Sequence, residues 1–336
     1  MERGISMLDK GAYTEFLRNT QGCESYDVAE CVGVIDDFTA FAGVAYGEGA
    51  EDFSVRSAVD YIVHRRDHDA NISRTIGILT DYAFYLRNGE LISELVLLRD
   101  AWNVMNRTSE LIKKHGGDSW ERVFGGLRIP EIGATLDEMS DFTREIEKRM
   151  LDAMPRDNCE GIMSKNAHSW EPEWDWDENS KLLEAKTIDE YIEMKHAEFI
   201  KELEGYRDRG EFFFTQEIDD QVIEFARDNL ITVRNGNKIL HTRAPYLMKQ
   251  YINAADRKMK RYYACHCPWK RNSILQEEGS LSSSMCYCCL GHAKKSFDLA
   301  FGRELNGRVV KTMMDEDCVL CTYEYDIPDD IMERYT

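Results

Sequence analysis

From Ala12 to Asn106 apolar residues return every three or four positions, the spacing that lays side chains along one face of a helix. The pattern predicts helices over 13–18, 28–46, 55–69, 72–87 and 91–105, separated by short turns bearing Gly and Asp. In the fourth of these, Ile72, Ile76, Leu79, Ala83 and Leu86 form one packing stripe. After Gly116-Gly117 the helical pattern resumes over 119–124 and 136–154, the second opened by the capping box Thr135-x-x-Glu138. A further box, Thr187-x-x-Glu190, starts a helix through Tyr206 that Gly210 closes. Helical spacing returns over 217–228 and 246–259.

Alternation with period two appears only late in the chain. Residues 230–233 and 238–241 flank Asn235-Gly236, a hairpin signal. Residues 309–314 and 320–327 read as strands joined by the acidic turn Asp315-Glu316-Asp317, with Cys321, Tyr323, Tyr325 and Ile327 on one face. The expected fold is α+β and predominantly helical: an N-terminal helical bundle over 1–110, a helical segment and acidic connector over 111–185, and a cysteine-rich α+β domain with a small antiparallel sheet over 186–336. The connector holds Trp170-Glu171-Pro172-Glu173-Trp174-Asp175-Trp176-Asp177-Glu178, too acidic and too interrupted by proline for a helix or a central strand.

Charge narrows the function classes. A formal net charge of −20 repels a phosphate backbone and argues against nucleic acid as a partner. No stretch approaches 18 uninterrupted apolar residues and the first residues lack the apolar run of a signal peptide, so the expectation is a cytoplasmic protein without a membrane partner. In a reducing compartment ten cysteines read as metal ligands or reactive thiols before they read as disulfides.

Seven of those cysteines lie between positions 265 and 321 in three chelate-like groups: Cys265-His266-Cys267, Cys286-Tyr287-Cys288-Cys289 and Cys318-Val319-Leu320-Cys321. Pro268 pushes Cys267 toward an extended conformation, in which Cys265 and Cys267 share a face and His266 takes the other. The second group follows Ser282-Ser283-Ser284 and opens a helix, where the free backbone N–H groups favour thiolate over thiol. At helical spacing Cys286 and Cys289 join one face, and Cys288 and His292 pair on another. Four thiolates or imidazoles satisfy tetrahedral Zn²⁺, and zinc is the expected cofactor. Its expected ligands are Cys265, Cys267, Cys286, Cys288 and Cys321, with Cys289, His292 and Cys318 in reserve. The competing readings are small buried core residues and a redox or nucleophilic thiol. Trp269, Arg271, Tyr287, Lys294 and Tyr323 are the expected walls of an adjoining ligand pocket. Cys23, Cys31 and Cys159 stand alone, and His64 and His68 read as a solvated helix face.

Two resemblances accompany this reading. The motifs Cys265-x-Cys267-Pro268-Trp269-x-Arg271-x-Ser273-Ile274, Cys286-Tyr287-Cys288-x-x-Gly291-x-x-Lys294 and Cys321-x-Tyr323 before Ile327-Pro328 resemble an uncharacterised bacterial cysteine-rich family related to the 4-vinyl reductase/hydrocarbon-binding and L-2-amino-thiazoline-4-carboxylic acid hydrolase-like proteins. That resemblance, over residues 260–328, implies an α+β module that binds a small molecule or a metal. Where members carry Gly-Asp before the last cysteine this chain has Asp317-Cys318, so Cys321 carries more of the likeness than Cys318. Ser73-Arg74-Thr75 followed by Leu79, Tyr82, Phe84, Tyr85 and Leu86 resembles the helical core-binding domain of tyrosine recombinases, which implies a helical module for a protein partner. The expected function is therefore a zinc- or small-ligand-binding protein, in the manner of a sensor. Its alternatives are a metal- or cysteine-dependent hydrolase or lyase of a small molecule, and a redox-responsive interaction adaptor.

Overall fold

The computed structural model describes residues 9–19, 27–49, 53–165 and 178–335. The tryptophan-rich stretch 170–177 and Cys23 lie outside the described residues. The chain is predominantly helical α+β and divides into two compact units, Met1–Trp102 with Pro130–Glu138, and Asn103–Ile129 with Met139–Thr336.

The first unit is built from α1 (Lys10–Asn19), α2 (Val28–Tyr46), α3 (Val55–Arg66), α4 (Ile72–Tyr85) and the start of α5 (Gly89–Gly116). Side-chain caps fix two of these starts: Asp27 accepts from the Ala29 amide and Ser54 from the Ser57 amide. Ile76, Leu79 and Ala83 of the α4 stripe are buried, and aromatic rings fill the space between helices, with Phe38 and Phe53 centred 4.2 Å apart and Tyr13 edge-on to Tyr82 at 5.0 Å. Because α3 ends at Arg66, His68 leaves the helix and the His64/His68 spacing brings no pair together; both are exposed.

The second unit continues through α6 (Ser119–Phe124), α7 (Leu136–Ala153) from Met139 onward, α8 (Arg156–Met163), α9 (Glu178–Glu184), α10 (Ile188–Arg209), α11 (Asp220–Asn229), α12 (Met248–Asn253), α13 (Arg257–Ala264), α14 (Pro268–Arg271), α15 (Tyr287–Ala293), α16 (Lys295–Ala300) and α17 (Asp329–Tyr335). A two-stranded ribbon, β1 (Phe212–Phe213) and β2 (Gln216–Glu217), precedes a four-stranded antiparallel sheet. Its strands are β3 (Thr232–Asn235), β4 (Lys238–Thr242), β5 (Gly307–Lys311) and β6 (Thr322–Asp326), in the spatial order β3-β4-β6-β5. The hairpin turn falls on Gly236-Asn237, one residue later than the sequence signal, because Gly236 takes the left-handed φ of 62° while Asn235 stays in the ladder.

Register places Ile239 opposite Tyr325 and His241 opposite Tyr323. That face packs on Ile188, Tyr191, Phe297 and Phe301 from α10, α16 and the residue after it, which makes the core of the unit. The opposite face carries charge: Glu324 accepts from Lys238 at 2.6 Å and from Arg308 at 2.7 Å, and these partners hold its carboxyl down at about 2.

Thr187 caps α10 by accepting from the Glu190 amide at 3.1 Å, and Glu190 reaches back to the Lys186 amide at 2.7 Å. Thr187→Ala is expected to lower unfolding free energy by about 1 kcal/mol in urea titrations, with Thr187→Ser close to the parent. Equal losses for the two variants would remove the cap from the account. The single helix expected over 246–259 is two helices, because Ala254 is extended and Asp256 caps a fresh start through the Met259 amide at 2.8 Å. This break turns α13 toward the cysteines, so it bears on the site.

Candidate thiol site

Cys265 and Cys267 leave the end of α13 with φ, ψ of −74°, 122° and −87°, 111°, the extended backbone that points alternate side chains the same way. Pro268 then sits in the first turn of α14, where its missing N–H costs nothing. His266 faces elsewhere: its Nε2 donates to the Ala244 carbonyl at 2.7 Å, which leaves Nδ1 to accept from Arg243 Nη2 at 3.5 Å. Cys286 ends a single 3₁₀ turn capped by Ser282, and Cys289 lies one helical turn on in α15. Cys321 immediately precedes β6, and its carbonyl accepts from the Arg243 amide at 3.0 Å.

These five sulfurs from three segments share one region of the second unit, and each of the other four feels Cys289. Cys289 is common to all of them. Pairing with Cys267, helped by Arg243 and Lys270 against the cost of burial, lowers Cys289 to about 7. Cys267 is correspondingly held well above the ordinary thiol value by that pairing and by burial. Burial, and then the neighbouring sulfurs, push Cys265 up to about 12 and Cys321 well above the ordinary thiol value. Cys265 and Cys286 are buried, whereas Cys267, Cys289 and Cys321 are partly exposed as residues.

Of the other cysteines, Cys288 is buried and adds to the repulsion at Cys267. Cys318 is buried in the same apolar cluster as Cys265 and Cys286 and donates to the Leu320 carbonyl at 3.0 Å. Cys31 and Cys159 are buried in the cores of their units. His292 is partly exposed on α15. Among the described residues no three His, Cys, Asp or Glu side chains stand already disposed around one ion position.

The residues expected to wall a pocket separate into different settings. Trp269 is buried against Phe142 at 5.8 Å between ring centres, and Tyr323 is buried in the sheet core beside Cys321 and Cys289. Lys294 is buried in ion pairs with Asp298 at 2.9 Å and Glu304 at 3.6 Å. Tyr287 lines a cleft of about 690 Å³ together with His115, Asp157, Glu160, Lys165 and Glu304, and none of the cysteines line it. Arg271, only 2% exposed, lies over the Tyr262 ring at 4.1 Å and near the Tyr246 ring at 5.4 Å.

Three groups that the sequence reading passed over complete the surroundings. Lys270, fully buried, donates to the Ser282 carbonyl and lies 3.6 Å from Cys286 Sγ and 3.8 Å from Glu147. Burial opposes its charge, but Cys286, Glu147 and the Cys267 and Cys265 sulfurs outweigh that and raise it. Glu147 in turn accepts from the Ser282 amide at 2.9 Å and its hydroxyl at 2.7 Å. Arg243 is the third. The only signal available in the sequence was the adjacency of Lys270-Arg271 to Cys267-Pro268, and nothing marked Glu147, 135 residues from Ser282.

Among the described residues no helix is long and apolar enough to cross a membrane. No family model matches the chain, and comparison with curated proteins and with solved structures finds no match either.

Proposed function

We propose that the second unit binds a thiophilic divalent metal, zinc in the first instance, through thiolates drawn from Cys265, Cys267, Cys286, Cys289 and Cys321. The observation that carries this reading is the gathering of five sulfurs from three distant segments in one place. Zn²⁺ takes four such ligands at about 2.3 Å, and ligands from separate segments tie a small domain together. The donor set is soft and suits zinc over magnesium or calcium. In the metal-free chain burial and mutual repulsion keep most of these thiols protonated; an ion replaces those protons, so binding draws the sulfurs inward from their present spacing.

The test is elemental analysis of the full chain purified under reducing conditions with zinc supplied, combined with thiol titration. The expected result is one tightly held zinc per chain, with four or five of the C-terminal thiols unreactive until a chelator removes it. Cys289→Ser, at the sulfur common to all the others, is expected to lose the zinc. A chain without metal whose thiols all react at once would end the proposal.

A second reading, a redox-responsive dithiol, is favoured by the pairing of Cys267 with the more acidic Cys289. Zinc-free protein treated with a mild disulfide oxidant is then expected to form the Cys267–Cys289 disulfide ahead of any other, as peptide mapping would read.

A further inference from the structure

Arg271 is an enclosed cation whose hydrogen bonding is unfinished. The residue is 2% exposed, yet its Nε and Nη1 are buried without a hydrogen-bond partner, and among the described residues no carboxylate pairs with it. The Tyr262 ring, centred 4.1 Å from the guanidinium carbon, attracts the charge but is a poor substitute for an oxygen acceptor. Arg261 in the same unit shows the finished arrangement. It is 6% exposed and donates to the Met313 carbonyl at 2.7 Å, the Met314 carbonyl at 3.1 Å and Ser280 Oγ at 2.6 Å. A buried donor left unmet is costly, and more so on a charged group, so Arg271 marks a place for an acceptor. Water there would meet the donors and leave the charge; an oxyanion meets both.

The neighbouring side chains continue the feature beyond one residue. The Tyr246 ring is centred 5.4 Å from the Arg271 guanidinium carbon and meets the His266 ring edge-on at 5.3 Å, and His266 Nδ1 lies 3.5 Å from Nη2 of Arg243. Arg243 also lacks a carboxylate partner among the described residues, and its Nε is buried without a hydrogen bond. Two backbone stretches carry these groups and are held against each other, the Tyr246 and Leu247 amides donating to the Ala264 and Tyr263 carbonyls at 3.3 and 3.0 Å. Gln216, 5% exposed, clamps the first stretch by donating to the Tyr246 carbonyl at 3.1 Å and accepting from the Met248 amide at 2.7 Å. The donors are thus fixed in advance, which spares a ligand the cost of ordering them. Arg243, Tyr246, Tyr262 and His266 are each partly exposed, whereas Arg271 lies inside.

We infer that the seam between residues 243–246 and 262–271 binds a small oxyanion, the carboxylate or phosphate group of a soluble ligand. Arg271 is its buried anchor, and Arg243 adds a second positive charge along the same run of contacts. A net charge of −20 gives anions no general attraction to the chain, so binding depends on these local cations. None of the groups is a proposed thiolate ligand, and the site stands independently of metal binding.

The experiment follows the arginine Nε–H signals of the full chain by two-dimensional NMR, assigned with Arg271→Lys and Arg243→Lys. Inorganic phosphate or acetate is titrated against sodium chloride at matched ionic strength. The expected result is a saturable shift of the Arg271 signal with phosphate, acetate or both, no shift with chloride, and a rise of the unfolding midpoint with the same anion. The stronger response distinguishes a phosphate from a carboxylate ligand. Arg271→Met is expected to weaken anion binding about ten- to a hundred-fold and to leave the unfolding midpoint insensitive to the anion. Arg243→Met, at a partly exposed position, is expected to weaken binding about tenfold and serves should Arg271→Met fail to fold. An Arg271 signal that neither anion moves, an equal response to chloride, or anion-dependent stability that persists in the folded methionine variants overturns the oxyanion site and leaves the metal-binding reading as it was.

Discussion

Phe297→Ala is expected to destabilise the second unit by about 4 kcal/mol, the usual cost of emptying a phenylalanine site in a core that cannot collapse around the gap. Phe297 is 4% exposed and its ring meets Tyr191 edge-on at 6.1 Å, Tyr325 at 5.5 Å and Phe301 at 6.3 Å. It is thus the point where α10, α16 and β6 come together, and its loss removes ring contacts as well as buried area. Phe297→Leu keeps most of the volume and is expected to lose about 1 kcal/mol. The measurement is amide hydrogen exchange of β4 and β6 in the full chain, which reports opening of this unit and does not need the two units to unfold together. Equal protection in the two variants would show that the sheet is held by something other than this aromatic contact.

The same core explains what the sequence made legible and what it hid. Helix starts with a side-chain cap were readable because the cap is local: Thr135 and Thr187 announce α7 and α10 within one turn. The inward face of β6 was readable because a strand's alternation is strict, and Tyr323 and Tyr325 are indeed 1% and 0% exposed. Helix continuity over 246–259 was not readable, since apolar spacing survives across Ala254 even though the backbone there is extended. The break reflects tertiary pairing, in which the Tyr246 and Leu247 amides donate to the Ala264 and Tyr263 carbonyls.

For the candidate site the sequence marked the cysteines more readily than their surroundings. Spacing put Cys265 and Cys267 on one side of an extended segment, and the backbone angles of both residues are extended. It left open whether Cys286 with Cys289 or Cys288 with His292 faced the other groups; the structure turns Cys286 and Cys289 toward Cys265 and Cys321. The cations are a different matter. Lysine and arginine belong at the surface by default, so nothing local distinguishes Lys270 and Arg271, inside the protein, from the many exposed cations of the chain. Only the assembled packing of α14 beneath Glu147 and Tyr262 shows that their charges are enclosed.

His241 gives the unit a dependence on pH that is separate from the thiols. Its ring is enclosed between Tyr325 at 6.1 Å and Phe297 at 6.5 Å, and Nδ1 shares a hydrogen with Thr232 Oγ1 at 2.8 Å. Burial first, and then the positive charges of Arg243 and Lys195, lower it to about 3 from 6.5. The folded chain therefore prefers the neutral ring, while the unfolded chain takes up a proton near the ordinary value. Stability from this group is complete above pH 6.5 and is lost as pH falls toward 3. At pH 4.5 the loss is expected to be about 2 kcal/mol once the solvent that still reaches the ring is allowed for. Glu324 works in the same direction but at lower pH, because its carboxyl is held at about 2. Comparing parent and His241→Gln at pH 7.5 and 4.5 by urea unfolding isolates the histidine, since Glu324 and the other carboxylates are common to both. The parent is expected to lose about 2 kcal/mol more than the variant over that interval. Parallel losses in the two proteins would mean that the ring is already protonated, or already solvated, in the folded state.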